Sequence, residues 1–208
     1  MLAPQSFEDW LEATFRVPIS DDRWAWFLSG RGFEYPYDYI LQHATSLFSS
    51  PRLLLPRFDK AEITQGFLYM GSELGCLRLT LESSISWDIR KEFVRSFFNL
   101  FDQLFVLDPF ETTCFMWWDL LMIFGPPRTD NSFAKDAEVR QEVLAVLARI
   151  LTIPSVECVR SALHGLGHMH LYAPDDAARV IRVFLASTKE LDASIQEYAD
   201  QCARGIVL

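Results

Sequence analysis

The residues that decide the fold are Ala137-Glu-Val-Arg-Gln-Glu-Val-Leu-Ala-Val-Leu-Ala-Arg-Ile-Leu151 and Val156-Glu-Cys-Val-Arg-Ser-Ala-Leu-His-Gly-Leu-Gly-His-Met-His-Leu-Tyr172, separated by Thr152-Ile-Pro-Ser155. Apolar residues recur at spacings of three and four in both segments, which is the helical period. Pro154 forces a break between them, and the pattern restarts at Pro174. Laying Ala162 on Ala199 places Val143 on Val180, Leu144 on Ile181, Val146 on Val183 and Leu147 on Phe184. In the second helix the same shift places Val156 on Ala193, Cys158 on Ile195 and Leu166 on Ala203. A two-helix unit recurring at a period between about 20 and 50 residues points to a solenoid, because one pair cannot cover its own apolar face and the next pair must.

The segment Ser155-Val-Glu-Cys-Val-Arg-Ser-Ala-Leu-His-Gly-Leu-Gly-His168 resembles the second helix of a HEAT-like repeat: an Arg follows a Val, and small and apolar residues then alternate up to a Gly. The resemblance is clearest over residues 137–172 and weaker over 87–124 and 174–207. It implies an all-α protein, a short HEAT-like α-α superhelical stack carrying an irregular, aromatic-rich helical N-terminal part. It also implies a protein-binding scaffold and no particular reaction. The chain is expected to form a single domain over 1–208, with 1–85 as the N-terminal part and 86–208 as the helix pairs.

Bulk composition narrows the function classes. Half of the 208 residues are hydrophobic and 17 are Phe, so the chain can bury a core and is not disordered as a whole. The net charge of −9 repels a phosphate backbone, which sets nucleic acid aside and favours a basic partner. Cys76, Cys114, Cys158 and Cys202 form no CxxC motif and read as buried small residues in a reducing compartment. The most apolar run, Cys114 to Phe124, is interrupted by Asp119 and falls short of the about 20 residues a membrane helix needs. A cytoplasmic protein is expected, with no membrane partner.

Along the N-terminal part, Ser6 and Asp9 suit a helix start, and a short helix is expected from Ser20 to Ser29 among Trp24, Trp26 and Phe27. Asp59 followed by Glu62 forms a capping box for a helix carrying Ile63, Phe67, Met70, Leu74, Leu77 and Leu81. Gly66, Gly71 and Gly75 within it imply close helix crossing or a break near Gly71. The helix from Trp87 to about Leu107 has so wide an apolar arc that a nearly enclosed position is expected. Asp108-Pro-Phe-Glu111 reads as a stop followed directly by a new helix ending at Gly125-Pro-Pro127. Laying Trp118 on Ala162 aligns Cys114 with Cys158, so 87–124 reads as a bulkier version of the later unit. Residues 126–136 form the polar insert and the candidate mobile loop.

Two sets of residues carry candidate chemistry. His164 and His168 stand at i and i+4, which puts both imidazoles on one helix face within reach of one metal ion. Metal-carrying HEAT-like enzymes use His followed directly by Glu, and no His here is followed by Glu, so that part of the resemblance fails. No carboxylate lies near in sequence; Asp175 and Asp176 are the candidates for approach in space. The second set is the protein-binding one: Trp117, Trp118, Arg160, His164 and His168. Adjacent tryptophans cannot face the same core, and an exposed one would anchor a partner; a helix wrapped on both sides would hide both. No phosphate loop, no GxSxG and no catalytic pair is present, and no motif calls for a cofactor. The expected function is therefore a non-catalytic protein-binding scaffold or adaptor, including an immunity-type inhibitor of a basic protein. The alternatives are a metal-dependent enzyme using His164 and His168 and a homodimer joined through exposed aromatics.

Overall fold

A computed structural model describes residues 6–16, 36–72, 75–122, 132–188 and 190–207. The architecture is all-α, and the described residues contain no strand. Ten α-helices follow in chain order among them: α1 (Phe7–Phe15), α2 (Tyr37–Ser49), α3 (Lys60–Met70), α4 (Trp87–Leu100), α5 (Thr113–Met122), the short α6 (Ser132–Lys135), α7 (Ala137–Ile150), α8 (Val156–Met169), α9 (Pro174–Ser187) and α10 (Ala193–Cys202). The helix expected over 20–29, and residues 126–131 of the polar insert, lie outside the described residues.

Local chemistry accounts for most of the helix starts. Ser6 and Asp9 form a capping box at α1, with Ser6 Oγ accepting from the Asp9 amide at 3.1 Å. Asp59 and Glu62 do the same at α3. Ser155 caps α8 through the Cys158 amide, and Asp192 caps α10 through the Ser194 amide at 2.8 Å. Pro36 stands at the N-cap of α2.

Of the two readings of the stripe from Ile63 to Leu81, the structure has the break near Gly71: α3 stops at Met70 and Leu77–Leu81 forms a 3-10 turn. Two expected elements differ. The helix expected to run to Leu107 ends as α-helix at Leu100 and continues as a π-helical turn over Phe101–Phe105. The new helix after Asp108 begins only at Thr113, because Asp108 accepts from the Phe110 amide at 2.7 Å and Phe110 and Glu111 adopt positive φ of 47° and 58°. The side chain of Asp108 thus closes a turn and does not cap a helix.

Burial is also arranged differently. The region 87–107 is two-sided, with Glu92 and Arg95 in solvent. The enclosed segment is instead the C-terminal half of α8, where every residue from Ser161 to Gly167 is buried. Helices α5, α7, α9 and α10 all pack on α8. Small side chains permit this closeness. A Cβ on Gly165 would stand 2.6 Å from Trp118 Cγ and 2.7 Å from Leu147 Cδ2, inside contact distance of both neighbours. On the other side of the molecule α1 packs on α3, with Phe15 lying where a Cβ on Gly66 would be.

Trp117 and Trp118 are both fully buried, so neither is the exposed anchor considered from the sequence. Helix α5 is wrapped on both sides. Trp117 meets the rings of Phe48, Phe67, Phe97 and Phe105 at centroid distances of 5.6, 5.9, 5.7 and 5.9 Å. These steep, edge-on approaches are the favoured aromatic geometry. Trp118 faces α8: its Nε1 donates to Ser161 Oγ at 3.1 Å, and Ser161 donates to the Cys114 carbonyl at 2.5 Å. A partly buried ion pair joins α4 to the start of α7. Arg90 on α4 donates to the carbonyls of Thr80 and Ile85 at 3.2 Å each and pairs with Asp136 at 2.8 Å. Asp136 in turn caps α7 through the Val139 amide at 3.0 Å.

Candidate metal centre

The site lies where α5, α8 and α10 meet. Because α8 runs unbroken from Val156 to Met169, His164 and His168 share one face of it, as their spacing requires. That face looks onto α5, which approaches closely over Gly165 and presents Asp119. His164 Nε2 lies 2.8 Å from Asp119 Oδ2, and His168 Nε2 lies 2.9 Å from Asp119 Oδ1. The two Nε2 atoms are 3.1 Å apart. Behind His164, its Nδ1 lies 2.8 Å from the hydroxyl of Tyr198 on α10. Phe115, one turn before Asp119 on α5, lays its ring against the His164 imidazole at 4.3 Å between centroids.

The cluster is dry on one side only. Side-chain exposure is 1% for His164, 8% for Asp119 and 17% for His168, so solvent reaches the group past His168. Burial by itself raises the Asp119 pKa, but the hydrogen bonds donated by His164 and His168 more than reverse this and hold it well below the usual carboxylate range. Burial, reinforced by neighbouring Cys202, pushes the Tyr198 phenol above its ordinary value, so it keeps its proton. Burial also pushes the Cys202 thiol up to about 11.

Among the described residues, Asp119, His164 and His168 form the one group of three His, Cys or acidic side chains whose ligand atoms all lie within 4.8 Å of one another. The third member is therefore not Asp175 or Asp176, which sit exposed in the first turn of α9, where Asp176 pairs with Arg179 at 2.6 Å. His170 lies at the C-cap of α8 against Gly205, outside the group. Arg160 is exposed on α8 and takes no part. Sequence reasoning missed Asp119 and Tyr198. Asp119 did carry a signal, as the lone acid in the apolar run from Cys114 to Phe124, since a charge inside such a run is retained only with partners. Tyr198 carries none.

A second feature lies at the opposite end of α8. An open groove of about 760 Å³ runs between the α7–α8 loop, the start of α8, α9 and the α9–α10 loop. Val156, Val159, Val180, Val183, Phe184 and Leu191 give it an apolar lining, to which Arg179, Glu190 and Asp192 add charge. Val156 and Val183 are 59% and 63% exposed. Val183 aligns in sequence with Val146, which is buried; the helical pattern is the same, but no helix among the described residues covers this end of α9.

Comparison with protein-family models, with curated proteins and with solved structures finds no match. No helix among the described residues is long and apolar enough to cross a membrane.

Proposed function

We propose that this protein binds one divalent transition-metal ion through Asp119, His164 and His168, and that the ion carries its activity. The observation behind this reading is the convergence of the ligand atoms: the two Nε2 atoms stand 3.1 Å apart, and each lies within 2.9 Å of its own oxygen of Asp119, Oδ2 for His164 and Oδ1 for His168. Ligands about 2.1 Å from an ion and at right angles to one another stand about 3.0 Å apart, so the two imidazole nitrogens match neighbouring positions around one ion, with a carboxylate oxygen of Asp119 within 4.8 Å of both. Two imidazoles with one carboxylate suit zinc or iron(II), and suit calcium and magnesium poorly, since those take oxygen ligands. Three protein ligands leave positions for water or a substrate, the pattern of reactive centres and not of closed structural ones. Such a ligand would enter past His168.

The test is metal analysis of chelator-treated protein reloaded with zinc or iron(II). One ion per chain is expected, together with a raised melting temperature, and Asp119→Ala and His168→Ala should each lose both. No bound ion and no change in melting with zinc, iron(II) or manganese would reduce the cluster to a hydrogen-bond network that joins three helices.

A second reading, the HEAT-like protein-binding scaffold, is favoured by the apolar groove beside Val156 and Val183. Its occupant would be an amphipathic helix of a basic protein, given the net charge of −9 and a lining in which Glu190 and Asp192 outnumber the one base, Arg179. An immunity-type inhibitor would act in this way. A basic protein held by the wild type and released by Val183→Asp, at unchanged melting temperature, would support it; equal retention by both would refute it. Either reading suits a cytoplasmic protein, since all four cysteines are free and buried.

A further inference from the structure

We infer that Tyr198 is a positioning residue that holds the His164 ring for a metal ion by serving whichever tautomer the ring adopts, with Cys202 as the outer group its hydroxyl can turn to. The inference rests on the metal reading above and adds to it a residue that is not a ligand. His164 is buried, so no bulk water serves either ring nitrogen, and the two neighbours fix where its proton sits. Without metal, the ionised Asp119 can only accept, so Nε2 carries the hydrogen and donates across 2.8 Å. Nδ1 is then the acceptor, and Tyr198 donates its O–H to it across 2.8 Å.

Metal binding inverts this arrangement. An ion on Nε2 requires that nitrogen's lone pair, so one proton leaves Nε2 and one is taken up at Nδ1, with no net change on the ring. Nδ1–H is now a donor, and Tyr198 must accept from it. The phenol can do so only if its own hydrogen turns elsewhere. Cys202, buried one turn further along α10 on the same face as Tyr198, is the group toward which it can turn. The hydroxyl can therefore serve either tautomer of His164, donating in one state and accepting in the other. A phenylalanine would fill the same space and leave Nδ1–H stranded in the core of the loaded protein. Outer hydrogen-bond partners of this kind hold the ring orientation and the basicity of metal-bound imidazoles.

The experiment uses the full chain, chelator-treated, with zinc as the probe. Long-range ¹⁵N–¹H correlation spectra of the histidine rings should show His164 as the Nε2–H form without zinc and the Nδ1–H form with it. In calorimetric titrations Tyr198→Phe should bind zinc about 10- to 100-fold more weakly than the wild type, at unchanged stoichiometry. The visible spectrum of the cobalt(II)-loaded variant should match that of the wild type, because the ligand set is intact. Cys202→Ala should show a smaller loss. Zinc affinity of Tyr198→Phe within two-fold of the wild type, or a single His164 tautomer in both states, would overturn the inference while leaving the metal site in place. If the wild type takes up no zinc, the metal reading itself fails and this inference falls with it. Should Tyr198→Phe not fold, the tautomer measurement on the wild type decides alone.

Discussion

Replacing Asp119 by Asn keeps the shape of the side chain and removes its charge, and the consequence for stability follows from the geometry. In the metal-free protein both carboxylate oxygens accept, one from His164 at 2.8 Å and one from His168 at 2.9 Å. An amide has one accepting oxygen, and its NH₂ group would meet the other imidazole N–H donor to donor. At least one charge-assisted bond is lost, worth about 1.5–3 kcal/mol. That is a large part of the about 5–15 kcal/mol that holds a typical domain folded. For a chain of this size about 2–4 °C of melting temperature accompanies each kcal/mol, so a fall of about 3–12 °C is expected. The assay is thermal and urea unfolding of wild type and Asp119→Asn at neutral pH, with chelator present so that metal binding does not contribute. The folded-state pKa of Asp119 lies below its unfolded value of about 3.9, so its contribution is present in full above that value and is lost as pH falls through the folded pKa. The gap between wild type and variant should therefore close in acid. A variant within about 0.5 kcal/mol of the wild type at pH 7, or a gap independent of pH, would refute the account of the cluster as an ionised acid accepting from two histidines.

Two further variants test the frame around the site. Trp117→Ala empties the space between Phe48, Phe67, Phe97 and Phe105 and should cost about 3–5 kcal/mol in urea unfolding; a loss below about 1.5 kcal/mol would mean that the aromatic core collapses onto the gap. Asp136→Asn keeps the α7 cap, which Asn serves as well as Asp, but leaves the buried Arg90 guanidinium without its counter-charge. A loss of about 1.5–3 kcal/mol is expected at pH 7. Burial raises the Asp136 carboxyl, and the bond and charge of Arg90 bring it below its ordinary range, so this contribution too is present above about pH 3.9 and fades below it. Equal urea midpoints for the two proteins at pH 7 would rule the pair out as a stabilising contact.

The sequence alone determined the all-α class, the caps at Ser6 and Asp59, the burial of the four cysteines and the shared face of His164 and His168. Each is a local property, set by the spacing of apolar residues or by a side chain within a turn of the groups it satisfies. Local spacing could not say where a helix yields to tertiary packing, which is why the glycines left open whether the helix breaks near Gly71, and why the end of the α-helix at Leu100 and the late restart at Thr113 differ from expectation. Nor could it say that α8 and not the Phe-rich α4 would be enclosed: Phe content records how much a helix can bury, whereas small residues such as Gly165 decide how near its neighbours come. The centre itself was decided only in three dimensions. Asp119 and Tyr198 lie far from the histidines along the chain, and periodicity reports that a helix has a buried face without naming the helix that covers it. The contact of α5 and α10 with α8 supplied the carboxylate and the phenol, because packing of side chains and not distance along the chain determines which groups share a dry space.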